Sequence, residues 1–155
     1  MSKDWINEIR NGLETALKNK FNFSGEELKS VSATGQNSLM DGLKQFVMKN
    51  GSKEIESILL KQKAFEGSDL EKSIGARLST DIKSKHQMTE DKAKSVSNFA
   101  SNFLVEHIVS AFQASSESKD LEGICSFIGI DKNLLKMVNS PVGKMFGKFF
   151  KLLTH

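Results

Sequence analysis

The chain has one cysteine, one proline, no tyrosine and only two arginines among its 22 basic residues, Arg10 and Arg77. Each shortage removes something. A lone Cys125 forms no internal disulfide and no two-cysteine metal or redox motif, which fits a reducing compartment. A single Pro141 leaves few helix breakers, and without sustained period-2 alternation β structure has little support. The arginine shortage argues against nucleic-acid readout, because arginine is the side chain that contacts phosphate and guanine bidentately. No run approaches the roughly 20 apolar residues of a membrane span. Charges at Lys3, Asp4, Glu8, Arg10 and Glu14 interrupt any signal-peptide core near the start. The expectation is a soluble, cytoplasmic protein.

What is present is helical punctuation. At 155 residues the chain has the size of one ordinary domain. Ser68-Asp69-Leu70-Glu71 has the form of a capping box, and Leu70, Ile74, Leu78 and Ile82 then make one stripe. Thr89 can cap a second helix, with Glu90 and Asp91 suited to its positive end. That helix is expected to bury Ala93, Val96, Ala100, Phe103, Leu104, His107, Ile108, Ala111 and Phe112. On this reading Phe103→Ala costs about 3–5 kcal/mol.

Upstream, Trp5 to Leu17 reads as an amphipathic helix ending near Lys20. Ser24-Gly25-Glu26-Glu27 reads as a second capping box opening a short helix through Val31. Residues 32–38 are the most loop-like stretch and a hinge is expected there. A helix through Leu39, Leu43, Phe46 and Val47 would stop at Asn50-Gly51, and another runs from Lys53 to Leu60. Downstream, Ala114 to Lys119 is a serine-rich linker and Asp120 opens a helix that Gly129 stops. Asp131 caps a further turn or two, and Ser140-Pro141 opens a last helix through Leu153. The expected fold is all-α, a compact bundle of about seven to nine short helices. It forms a single domain over residues 1–155, with N-terminal helices in 1–31 and a core in 39–155.

Chemistry is thin. His86 reads as a surface turn residue, His107 as a residue at the core edge, and Cys125 as a buried structural thiol. Paired carboxylates fall in first helical turns, where the helix dipole accounts for them. Gly147-Lys148 is not the end of a phosphate loop, because Val142 and Phe149 stand where a glycine and a Ser or Thr are required. The turn between the helices of 68–112 could suit DNA, but Glu90 and Asp91 would face phosphate. No catalytic, cofactor-binding or metal-binding residue is indicated, and no cofactor.

The C-terminal segment carries the one asymmetry. Residues 132–155 hold five lysines and no acid, whereas residues 68–131 hold 7 basic and 10 acidic residues. The candidate interaction surface is Lys144, Met145, Lys148, Phe149, Lys151 and Leu152, on a helix with lysines opposite an apolar face. That helix could dock on its own core, on another copy or on a membrane surface.

Ala76-Arg77-Leu78-Ser79, Met88-Thr89-Glu90-Asp91-Lys92-Ala93 and Val105-Glu106-His107-Ile108-Val109 lie on a helix, a restart and a long second helix. With Asp120-Leu121-Glu122-Gly123-Ile124 and Val142-Gly143-Lys144-Met145-Phe146-Gly147-Lys148, they resemble the YidB-like bacterial proteins of unknown function, Bacteroidetes-type members included. The resemblance spans about residues 39–150. It implies an all-helical fold and no reaction. The function expected from these residues is non-enzymatic, through contact with a protein partner or self-association. The alternative is weak binding of nucleic acid or an anionic membrane surface by the basic C-terminal helix.

Overall fold

In the computed structural model, residues 4–131 and 133 are described. Six α-helices follow one another: α1 (Asp4–Phe21), α2 (Gly25–Asn50), α3 (Lys53–Leu59), α4 (Asp69–His86), α5 (Glu90–Ala114) and α6 (Leu121–Ile128). The described residues contain no strand, so the all-α expectation holds; among them there are six helices, against seven to nine expected over the whole chain. The helices expected over 131–138 and 141–153 lie outside the described residues. So does the surface of Lys144, Met145, Lys148, Phe149, Lys151 and Leu152.

The main correction concerns α2. The short helix, the hinge over 32–38 and the helix from Leu39 are one 26-residue helix. Ser32, Thr34, Gly35, Gln36 and Ser38 are buried within it. Their small size suits helix seams, and packing overrides the loop-forming tendency of Ser, Thr and Gly. Against the antiparallel α4, Ser38 Oγ donates to Asp81 Oδ2, and Arg77 Nη1 donates to Gln45 Oε1 at 2.6 Å. Between them, a Cβ on Gly42 would stand 3.4 Å from Ile74 and from Arg77. Towards α1, Gln36 Nε2 donates to the Ile6 carbonyl at 3.0 Å and its Oε1 accepts from Arg10. Bonds of this kind contribute about 0.5–1.5 kcal/mol each while fixing register.

The caps are mostly as the sequence spells them. Ser68 Oγ accepts from Glu71 N at 3.0 Å, whereas the Glu71 carboxylate reaches Gly67 N rather than the cap itself. Thr89 and Asp120 accept from Lys92 N and Gly123 N. Ser24 makes no side-chain cap bond, so the second capping box does not form. Gly51 and Gly129 end their helices at φ 82 and φ 87, where glycine alone is unstrained.

Leu70, Ile74, Leu78 and Ile82 are all buried, as their spacing requires. On α5, Ala93, Val96, Ala100, Leu104, Ile108 and Phe112 are buried as expected, but the buried face is turned towards Ser97, Ser101 and Val105, leaving Phe103 and Ala111 half-buried and His107 exposed. At the far end of the bundle Phe127 of α6 stacks on Trp5 at 4.3 Å and meets Phe112 edge-on at 5.4 Å. Cys125 is buried beside Ile124 in the same helix. The serine-rich linker is organised: Lys119 Nζ donates to the carbonyls of Phe112, Ser115 and Glu117.

No described helix is long and apolar enough to cross a membrane.

Candidate interaction surface

His86 is not a surface turn residue. It closes α4, half-buried, with Nε2 3.0 Å from Thr34 Oγ1 on α2. Burial lowers its pKa below the ordinary 6.5, Glu27 opposing the shift and Lys85 reinforcing it. A base whose folded pKa is depressed contributes stability that is whole above 6.5 and is lost as pH falls through the folded value. The melting temperature should therefore drop on acidification just below pH 6.5, and His86→Gln should flatten that slope. Identical pH profiles for the two proteins would contradict the assignment.

His107 and Phe103 form part of a ladder of rings on the outer side of α5. Phe103 stacks on His107 with centroids 4.0 Å apart, and Phe99 lies 6.1 Å from Phe103. Phe21 at the end of α1 meets Phe99 edge-on at 5.8 Å and continues to Phe23. The steps 99, 103 and 107 place three rings on one helix face. His107 Nδ1 lies 2.8 Å from the Phe103 carbonyl, which requires the proton on Nδ1. Lys20 and Lys92 sit over Phe99 and Phe23 at 4.7 and 5.1 Å.

The ladder forms one wall of an open cleft of about 570 Å³, with Lys20, Asn98, Asn102 and Glu106 on its rim. A second cleft of about 540 Å³ lies across the same ridge, Asn102 and Glu106 facing both. Ile58, Phe65, Val105 and Val109 supply its apolar lining. Its loop is held by Glu54, which accepts from Lys63 Nζ at 2.8 Å and from Asp69 N. That bond raises the Lys63 pKa. Rings, amides and a single carboxylate suit adhesion: flat apolar area for contact, and polar atoms to orient it.

The half-buried Phe103 changes the expected cost of its removal. Phe103→Ala should lose about 1–2 kcal/mol, not 3–5, because its outer face keeps contact with water. Urea unfolding followed by circular dichroism measures this, and a loss above about 3 kcal/mol would return the ring to the core.

Sequence reasoning missed Phe21, Phe99, Asn102 and Glu106 as a surface. The four-residue spacing was visible, but it does not say which side of a helix faces water. The described residues hold no group of three His, Cys, Asp or Glu side chains able to take a metal ion. Compared with protein-family models, curated proteins and solved structures, the chain matches none.

Proposed function

We propose that this is a non-enzymatic, cytoplasmic helical protein that acts through protein–protein contact or self-association, with the outer face of α1 and α5 as a contact surface. The observation that carries this reading is the partly exposed ladder Phe21, Phe99, Phe103 and His107. Aromatic anchors ringed by polar groups are what interface hot spots are made of, and a soluble monomer has little reason to keep such rings wet. The resemblance to the YidB-like proteins is part of this proposal; it implies an all-helical fold and no reaction, and names no partner.

The test is affinity capture from the native host with the intact chain and with Phe99→Ser/Phe103→Ser, beside light scattering on both. The wild-type protein should retain a partner or a second copy that the folded double variant loses. Equal retention by both, or turnover in a substrate screen abolished by one polar substitution, would contradict the proposal. The five lysines of residues 132–155 favour a second reading, binding to an anionic polymer or surface. That binding must weaken steeply with added salt.

A further inference from the structure

The cleft beside the ring ladder has one cation and one anion in its lining, Lys20 and Glu106, and they stand at opposite ends. Lys20 Nζ lies 4.7 Å from the centre of the Phe99 ring. Glu106 follows Phe99 by seven residues on α5, a rise of about 10 Å. Both side chains are exposed, and neither forms an ion pair among the described residues. Between them Ser95, Phe99, Asn102 and Glu106 recur at steps of four, three and four. That is the spacing along which one helix meets another in a seam.

A surface with opposite charges at its two ends is complementary to itself turned end for end. A two-fold axis crossing α5 between Asn102 and Phe103 brings the Phe99 level of one copy against the Glu106 level of the other. Lys20, lying over Phe99, then meets the partner's Glu106, and symmetry makes the contact twice. Asn102 falls beside the axis, where a polar residue in a seam fixes register at a cost in strength. The seam from Ser95 to Glu106 covers roughly 16 Å of helix rise. With α1 alongside, the face amounts to on the order of 300 Å² per chain, well under the roughly 800 Å² of a standard stable interface. The association is therefore weak and reversible. In dilute solution, where unfolding is measured, the chains are separate and the outer face of Phe103 is in water.

We propose that two copies of this chain pair through the α1/α5 face, their α5 helices antiparallel about that axis, with Lys20 of each copy against the partner's Glu106. This rests on the contact reading and deepens it by naming a second copy as the partner.

Sedimentation equilibrium of the full chain, over a concentration series at low ionic strength, tests the pairing. The wild-type mass should climb from monomer towards dimer. Glu106→Lys alone and Lys20→Glu alone each set like charges together twice, and should weaken association roughly ten-fold or more. An equimolar mixture of these two variants restores both ion pairs in a heterodimer and should associate like the wild type. The double variant Lys20→Glu/Glu106→Lys should do so with itself. Both positions are exposed, so circular dichroism should find every variant folded. Should one not fold, oxidation of Asn102→Cys decides instead: it should give a disulfide-linked dimer, and Lys72→Cys on α4 should not. Cys125, 3% exposed, is shielded, and the unsubstituted chain controls for it. A wild-type chain monomeric into the millimolar range, single reversals that associate unchanged, or a mixture that stays monomeric overturns the pairing. The capture experiment separates that failure from the broader one. A host protein held by the wild type and lost by the Phe99/Phe103 variant keeps the contact reading without self-pairing, and equal retention removes both.

Discussion

Phe112→Ala should cost about 3–5 kcal/mol, the largest loss expected of any single truncation in the described helices. The Phe112 ring is fully buried where α1, α5 and α6 converge. It meets Phe127 edge-on, and Lys119 lies 4.7 Å above its face. Its removal forfeits the transfer energy of a buried aromatic and leaves a cavity that three helices cannot all close. Trp5, the chain's single tryptophan, stacks on Phe127 and reports the damage directly. Urea denaturation followed by tryptophan fluorescence should show an earlier midpoint. A loss below about 1 kcal/mol would mean that this end of the bundle is not packed around Phe112.

Gly123→Ala should be the most damaging change of a single methyl, destabilising by about 3 kcal/mol. A Cβ at position 123 would stand 1.7 Å from the Ser118 carbonyl oxygen and under 3 Å from two more atoms of that backbone. A main chain cannot swing aside as a side chain can. Either α6 shifts and Asp120 loses its bond to Gly123 N, or residues 115–119 move and Lys119 leaves the end of α5. The sign is diagnostic. Glycine to alanine in an open helix stabilises by about 1 kcal/mol, and Gly75 in α4, with nothing near its missing Cβ, should behave that way. Thermal unfolding of both variants should move in opposite directions. A Gly123→Ala protein as stable as the wild type would contradict the packing of the linker on α6.

The same glycine explains why some of the chain was legible in advance. Asp-Leu-x-Gly records two local demands, a capping carboxylate and a position without a Cβ, and both act within a few residues. The caps at Ser68 and Thr89 and the stripe through Leu70, Ile74, Leu78 and Ile82 are equally local. The continuity of α2 is not. Ser32 to Ser38 reads as a loop until α4 and α1 supply Asp81, His86 and Ile6 as partners. Val31, Gly35, Leu39 and Leu43 keep a four-residue step straight through that stretch, a signal outweighed by its Ser, Thr and Gly content.

The ring ladder on α5 was legible only as a list of apolar positions. Phe103 and His107 fall on the same periodicity as Leu104 and Ile108, and each pair could have faced the core. Which pair does so depends on the rotation of α5 against α1 and α4. A Cβ on Gly12 would meet Phe103 at 3.4 Å and one on Gly35 would meet Ala100 and Leu13 at 4.0 Å, so α1 and α2 both lie against this part of α5. Burying Ser97, Ser101 and Val105 turns the ladder outwards.

The most direct measurement of the central claim is a residue-resolved map of amide shifts as the captured partner, or a rising concentration of the protein itself, is titrated in. Shifts should cluster at Phe99, Asn102, Phe103 and Glu106, together with the end of α1. Shifts confined to the outer face of α4 around Lys72 and Ala76, or a spectrum that does not change, would contradict a contact surface on α1 and α5.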